Sequence, residues 1–117
     1  MPRTKTGFTR HRRHKKLLER TKGFRGTNNR LYKRAHEADL HAGQYAFAGR
    51  KNRKRDMRSL WIVRINAALK SIDESMSYSR FISAMKKANV QLDRKILAEI
   101  AATDFPAFET IVKMVMG

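Results

Sequence analysis

Six of the nine side chains from Arg50 to Arg58 are cationic, namely Arg50, Lys51, Arg53, Lys54, Arg55 and Arg58, with Asp56 as the one acid. Guanidinium groups grip phosphate through paired hydrogen bonds and stack on flat rings, whereas ammonium groups act as compact point charges. Such a run is equipped to hold a phosphate backbone. The blander reading, a solvated charged helix, is weaker because these like charges repel one another unless a polyanion neutralises them. Leu60, Trp61, Ile62, Val63 and Ile65 follow directly. At roughly 100° per residue, Arg50, Lys51, Lys54 and Arg58 share an arc of roughly 0° to 100°, and Trp61, Ile65, Ala68, Leu69 and Ile72 share about the same arc. One helical face therefore passes from a phosphate-binding surface into a protein core.

The same chemistry recurs upstream. Arg10, Arg12, Arg13, Lys15 and Lys16 crowd a segment whose only large apolar residues are Leu17 and Leu18. Lys22, Arg25 and Arg30 flank two glycines and the pair Asn28 and Asn29, Lys33 and Arg34 come next, and Arg3 and Lys5 lie in the leading arm. All these cations are candidate nucleic-acid contacts. Arg12, Arg13, Lys15, Lys16, Lys51, Lys54, Arg55 and Arg58 lead for phosphate, and Arg64, Lys86 and Lys87 are candidates further downstream. Tyr32, Tyr45 and Phe47 are interleaved with the cations; they suit stacking on bases and equally suit packing against a neighbouring protein.

Other chemistries fit poorly. His11 and His14 lie three apart on a helix, but no third ligand is near and the flanking cations would repel a metal ion. His36 and His41 have Glu37 and Asp39 nearby, yet nothing orders them into a nucleophile and base. Asp73 and Glu74 sit beside serines, where helix capping explains them. The chain has no Cys, which excludes disulfides, thiolate zinc sites and cysteine nucleophiles. No glycine-rich phosphate loop occurs. The reading is of a non-enzymatic protein with no cofactor, no metal and no small-molecule substrate.

The elements that must position these cations are of two kinds. Residues 1–60 carry 19 Lys or Arg against 4 Asp or Glu, and residues 61–117 carry 8 against 6, so nearly all of the net charge of +17 lies in the first half. A charge this large destabilises a free compact state and points to a polyanionic partner. No apolar run is long enough to span a membrane, the start has no hydrophobic signal-type region, and the basic stretches hold too few large apolar residues to insert into a membrane surface.

Residues 1–8 read as an extended arm. A helix is expected over about 9–21, with Thr9 as N-cap and Gly23 just past its end. It has no apolar stripe, so enclosure by nucleic-acid backbone is what would sustain it. Lys22 to Asn29 is a turn. A long helix is expected from about residue 30 to Ile72, roughly 65 Å at 1.5 Å per residue, weakened by Gly43 and Gly49, which mark kinks or close approach of another backbone if they do not simply cost stability. After the polar loop SIDESMS, Ser77 or Ser75 caps a helix with Phe81, Ile82, Met85 and Ala88 on one face, closed by Asn89. A second, about Leu92 to Ala102, presents Leu92, Ile96, Leu97 and Ile100, with Asp93 near its start. The last begins near Asp104 or Phe105 with Pro106 in its first turn and shows Phe105, Phe108, Ile111, Val112 and Val115. The fold class is thus all-α: a long basic N-terminal helical extension without its own core over 1–57, then a small C-terminal helical bundle over 58–117.

A helix-turn-helix reading of double-stranded DNA would need polar base-reading groups on the helix from Leu92 to Ala102, which offers only Arg94 and Lys95 at its start. With most cations outside the bundle, threading into folded RNA fits better.

Several ordered segments carry a closer likeness: RRHKK at Arg12–Lys16, KGF and its following Gly within Lys22–Gly26, AGQYA at Ala42–Ala46, RKRDMRSLWIVRINAA at Arg53–Ala68 and YSRFISAMKKANVQLDRKILAEIA at Tyr78–Ala101. Through these the chain resembles the bacterial large-subunit ribosomal protein L20 family over nearly its whole length. The resemblance implies an RNA-binding structural protein of the large ribosomal subunit, bacterial and cytoplasmic or organellar. It further implies binding to large-subunit ribosomal RNA early in assembly, neighbouring ribosomal proteins as partners, a helical extension buried in RNA, and a C-terminal domain on an RNA junction. For some members it implies repression of their own messenger RNA. The chain departs from the family pattern at Asn28 and Asn29, at Ala48 and Gly49, and in a longer SIDESMS loop.

Overall fold

The structure, a computed structural model, describes residues 2–117; the part of the extended-arm expectation that concerns Met1 lies outside them. The chain is all-helical: α1 (Gly7–Arg20), a 3-10 turn (Gly26–Asn29), α2 (Tyr32–Ile72), α3 (Tyr78–Lys87), α4 (Arg94–Thr103) and α5 (Phe105–Met116). It divides into two compact units, residues up to Lys51 and Asn52–Gly117, with α2 contributing to both.

In the first unit α1 starts two residues earlier than expected. Thr6, not Thr9, is the residue before the helix, and it makes no side-chain cap; its carbonyl accepts the first helical hydrogen bond from the Arg10 N–H at 3.0 Å. The arm therefore stops at Thr6. Gly23 has φ +88° and Gly26 φ +67°, a left-handed conformation that costs glycine little and that reverses the chain after α1. The 3-10 turn then occupies Asn28 and Asn29, which moves the start of α2 to Tyr32. α2 runs unbroken through Gly43 and Gly49, and among the described residues no other part of the chain comes within 4 Å of where a side chain would stand at either. Among the described residues of this unit, only Leu17, Thr21 and Ala35 are buried. Thr21 satisfies its hydroxyl by donating to the Leu18 carbonyl at 3.2 Å.

The second unit holds the hydrophobic core. Ile65, Ala68 and Leu69 from α2, Phe81 and Met85 from α3, Leu97 and Ala98 from α4, and Phe108 and Val112 from α5 form one buried cluster. The face expected on α2 is the face that packs, with Trp61 and Ile72 at its partly buried rim. Each short helix has a defined start. The Ser77 hydroxyl, Asp93 Oδ1 and Asp104 Oδ1 accept from the N–H groups of Arg80, Ile96 and Ala107 at 3.4, 2.8 and 3.3 Å, each satisfying a donor that the helix itself leaves unpaired. α3 ends at Asn89 with φ +57°; the Val90 N–H donates to the Met85 carbonyl and the Asn89 N–H to that of Lys86, the paired bonds of a left-handed helix stop. In the loop before α3, Asp73 accepts from the Ser75 N–H at 3.0 Å, which holds its carboxyl below the usual aspartate range.

α4 meets the expectation in part: Leu97 is buried and Ile100 packs against the core, but the other two expected residues do not. Asp93 is its cap, Leu92 precedes it, and Leu92 and Ile96 are exposed, while Leu97 and the small Ala98 are buried. Ala98 takes a place on the packed face beside Leu97, and Leu92 and Ile96 are left outside it.

Candidate nucleic-acid interface

Every cation singled out in the sequence is exposed. On α1 these are Arg10, Arg12, Arg13, Lys15 and Lys16; around it, Arg3, Lys5, Lys22, Arg25 and Arg30; on α2, Lys33, Arg34, Arg50, Lys51, Arg53, Lys54, Arg55, Arg58 and Arg64; and on α3, Lys86 and Lys87. Among the described residues only two ion pairs form, Arg20 with Asp39 at 3.2 Å and Arg34 with Glu37 at 3.6 Å. Apart from Arg34, none of the candidate cations is neutralised by a carboxylate of this chain. Their side chains are long and solvated, and α1 and α2 each carry several within one turn, so the local potential there is strongly positive and falls off over roughly 8 Å at physiological ionic strength.

The aromatic residues of the extension separate into two groups. Tyr45 and Phe47 are 74% and 58% exposed. Phe47 lies under the Lys51 ammonium, 4.6 Å from its ring centre, as Phe8 lies under the Arg12 guanidinium at 5.3 Å. Such contacts hold a cation in place while leaving its charge outward. Tyr32, in contrast, is already stacked within the chain, at 3.8 Å from His14 of α1 and 5.8 Å from His36 one turn along α2. It is therefore not an open stacking platform. Beside this ring ladder, between α1 and the residues that follow it, lies a cavity of about 670 Å³.

In the second unit Arg64 borders a groove with Trp61, Lys95 and Glu99, and Lys87 borders another with Arg80 and Ser83. Arg80, which the sequence had not marked, and Lys95, marked there only under the double-stranded DNA reading, thus join the candidate cations; the signal for each was charge at the start of a helix. Arg94 is engaged differently, its Nε donating to the Tyr78 hydroxyl. Among the described residues no group of three His, Asp or Glu is placed to hold a metal ion, and no helix is long and apolar enough to cross a membrane.

The family model described as ribosomal protein L20 matches residues 3–111. The proteins named large ribosomal subunit protein bL20 from Burkholderia cenocepacia (strain HI2424) and Burkholderia mallei (strain SAVP1) are each 51% identical to the chain over 115 residues, covering 98% of it and 95% of theirs.

Proposed function

Because the chain belongs to the ribosomal protein L20 family, we propose that it binds large-subunit ribosomal RNA directly and promotes assembly of the bacterial large subunit, of which it is a structural, non-enzymatic constituent. The observation that carries the RNA-binding reading is the exposed and, but for Arg34, unpaired state of the candidate cations. Phosphates that displace their counterions are the partner such a surface requires, and folded RNA supplies phosphates from several strands at once. The relatives compared are bacterial, which supports the cytoplasmic ribosome over an organellar one. Neighbouring large-subunit proteins are the further partners. Repression of its own messenger RNA, implied by the resemblance for some members, would draw on the second unit.

The mechanism is charge neutralisation combined with shape. Cations of α1 and the first part of α2 neutralise RNA segments that would otherwise repel one another. The bundle, rigid because its core is closed by α2 to α5, presents Arg64, Lys86 and Lys87 in fixed positions. We place the functional boundary at 57/58, which leaves Arg58, the last exposed cation of the run, at the head of the segment that goes on to pack.

A fragment beginning at residue 58 tests this division. It is expected to fold cooperatively by circular dichroism and to retain measurable affinity for large-subunit ribosomal RNA, with the extension adding most of the salt-sensitive binding. A fragment that is unfolded, or folded yet blind to RNA that the full chain binds, would show the division to be wrong.

A further inference from the structure

We propose that the cavity beside the His14–Tyr32 stack is a receptor for a single unstacked RNA nucleotide, held by its base against the ring ladder and by its phosphate against Lys15, Lys22 and Arg30. The inference rests on the RNA-binding reading above and names the element of RNA that this part of the extension takes. At about 670 Å³ the cavity lies within the roughly 300–1,000 Å³ of small-ligand pockets, ample for one nucleotide. It is built by chain reversal: His11, His14 and Lys15 come from one face of α1, Lys22 from the turn, Arg30 from just past the 3-10 turn and Tyr32 from the first residue of α2.

Three features select a nucleotide over a bare phosphate or an uninterrupted duplex. The first is the ladder. His36, Tyr32 and His14 are near-parallel, with interplanar angles of 15° and 22°, and His14 borders the cavity, so a flat base entering there extends an existing stack. The second is Glu19, which also lines the cavity and forms no ion pair among the described residues. A carboxylate repels phosphate, but it accepts hydrogen bonds from a ribose 2′-hydroxyl or from the exocyclic amine of a base. The third is the clustering of three cations at the same cavity, which anchors the phosphate of the nucleotide while the base is turned away from its neighbours. The arrangement is that of single-strand recognition, an electropositive rim with a stacking platform, reduced to one nucleotide.

Ultraviolet crosslinking of the full-length chain to large-subunit ribosomal RNA, with mass-spectrometric identification of peptide–nucleotide adducts, tests it without altering the protein. The expected result is an adduct confined to one RNA position on the peptides spanning His11–Tyr32, and enhanced chemical reactivity of the nucleotide stacked next to it. His14→Ala should then weaken binding by roughly 5- to 150-fold, the range for losing one base–aromatic stack, with the salt dependence unchanged. Glu19→Gln, which leaves the ladder in place, should weaken binding less while keeping the adduct position. Adducts on the Arg50–Arg58 peptides with none on His11–Tyr32, or adducts there scattered over many RNA positions, overturn the receptor and leave the ladder as a clasp between helices. Failure of the unaltered chain to bind the RNA at all overturns the RNA-binding reading, and the receptor with it.

Discussion

Phe108→Ala is expected to abolish the cooperative unfolding transition of the second unit at physiological temperature. Phe108 is fully buried, with its ring centre 5.9 Å from that of Phe81 and 6.3 Å from that of Phe105. Truncating a buried phenylalanine costs about 3–5 kcal/mol, because the transfer energy is lost and the cavity collapses only in part. At roughly 0.05–0.15 kcal/mol per residue, a unit the size of Asn52–Gly117 holds only about 3–10 kcal/mol in total. The substitution therefore removes much or all of the margin. Denaturant unfolding followed by circular dichroism reads this directly, and a midpoint within error of the unaltered chain would mean that the core is not closed by α5. Trp61→Ala should cost distinctly less, since Trp61 stands at the partly buried rim of the cluster rather than inside it.

The second large effect is on binding. Replacing Lys51, Lys54, Arg55 and Arg58 together by glutamine is expected to lower the slope of log affinity against log salt by about 3, since each phosphate neutralised contributes roughly 0.7 to 0.9. Among the described residues the four side chains are exposed and none is ion-paired, so each substitution should move the unfolding free energy by no more than about 0.5 kcal/mol, as is usual for exposed positions. An unchanged salt slope would remove this run from the interface; a lost transition would show it to be structural instead.

The sequence made the second unit legible because its signals are local. Ser77, Asp93, Asp104 and Asn89 each act on backbone groups within four residues, and the faces of α3 and α5 follow from spacing, except that Ala88, expected on the α3 face, is the exposed residue just past the helix. The face of α4 was read in part: Leu97 and Ile100 pack as expected, but periodicity weights large apolar residues, and Ala98 rather than Leu92 or Ile96 completes the packed face. Thr6 and Thr9 lie one turn apart and offer the same capping chemistry, so the start of α1 was ambiguous by three residues. The charge of the interface could be read from composition, since exposed cations need no partner to be placed. The ring ladder could not. Tyr32 and His36 lie one helical turn apart and are adjacent on any helix, but His14 reaches Tyr32 only after the chain reverses through Gly23 and Gly26. The cavity at that reversal has no signature in residue spacing, and the same is true of the Arg20–Asp39 pair.

Chemical footprinting of large-subunit ribosomal RNA, alone and with the full chain as the only added protein, is the most direct test of direct binding. Two sets of protections are expected, one that persists with the fragment from residue 58 and one that requires the basic extension, the second fading as salt is raised. RNA reactivity that is unchanged by the full chain, or that changes only when another ribosomal protein is added, would contradict direct recognition.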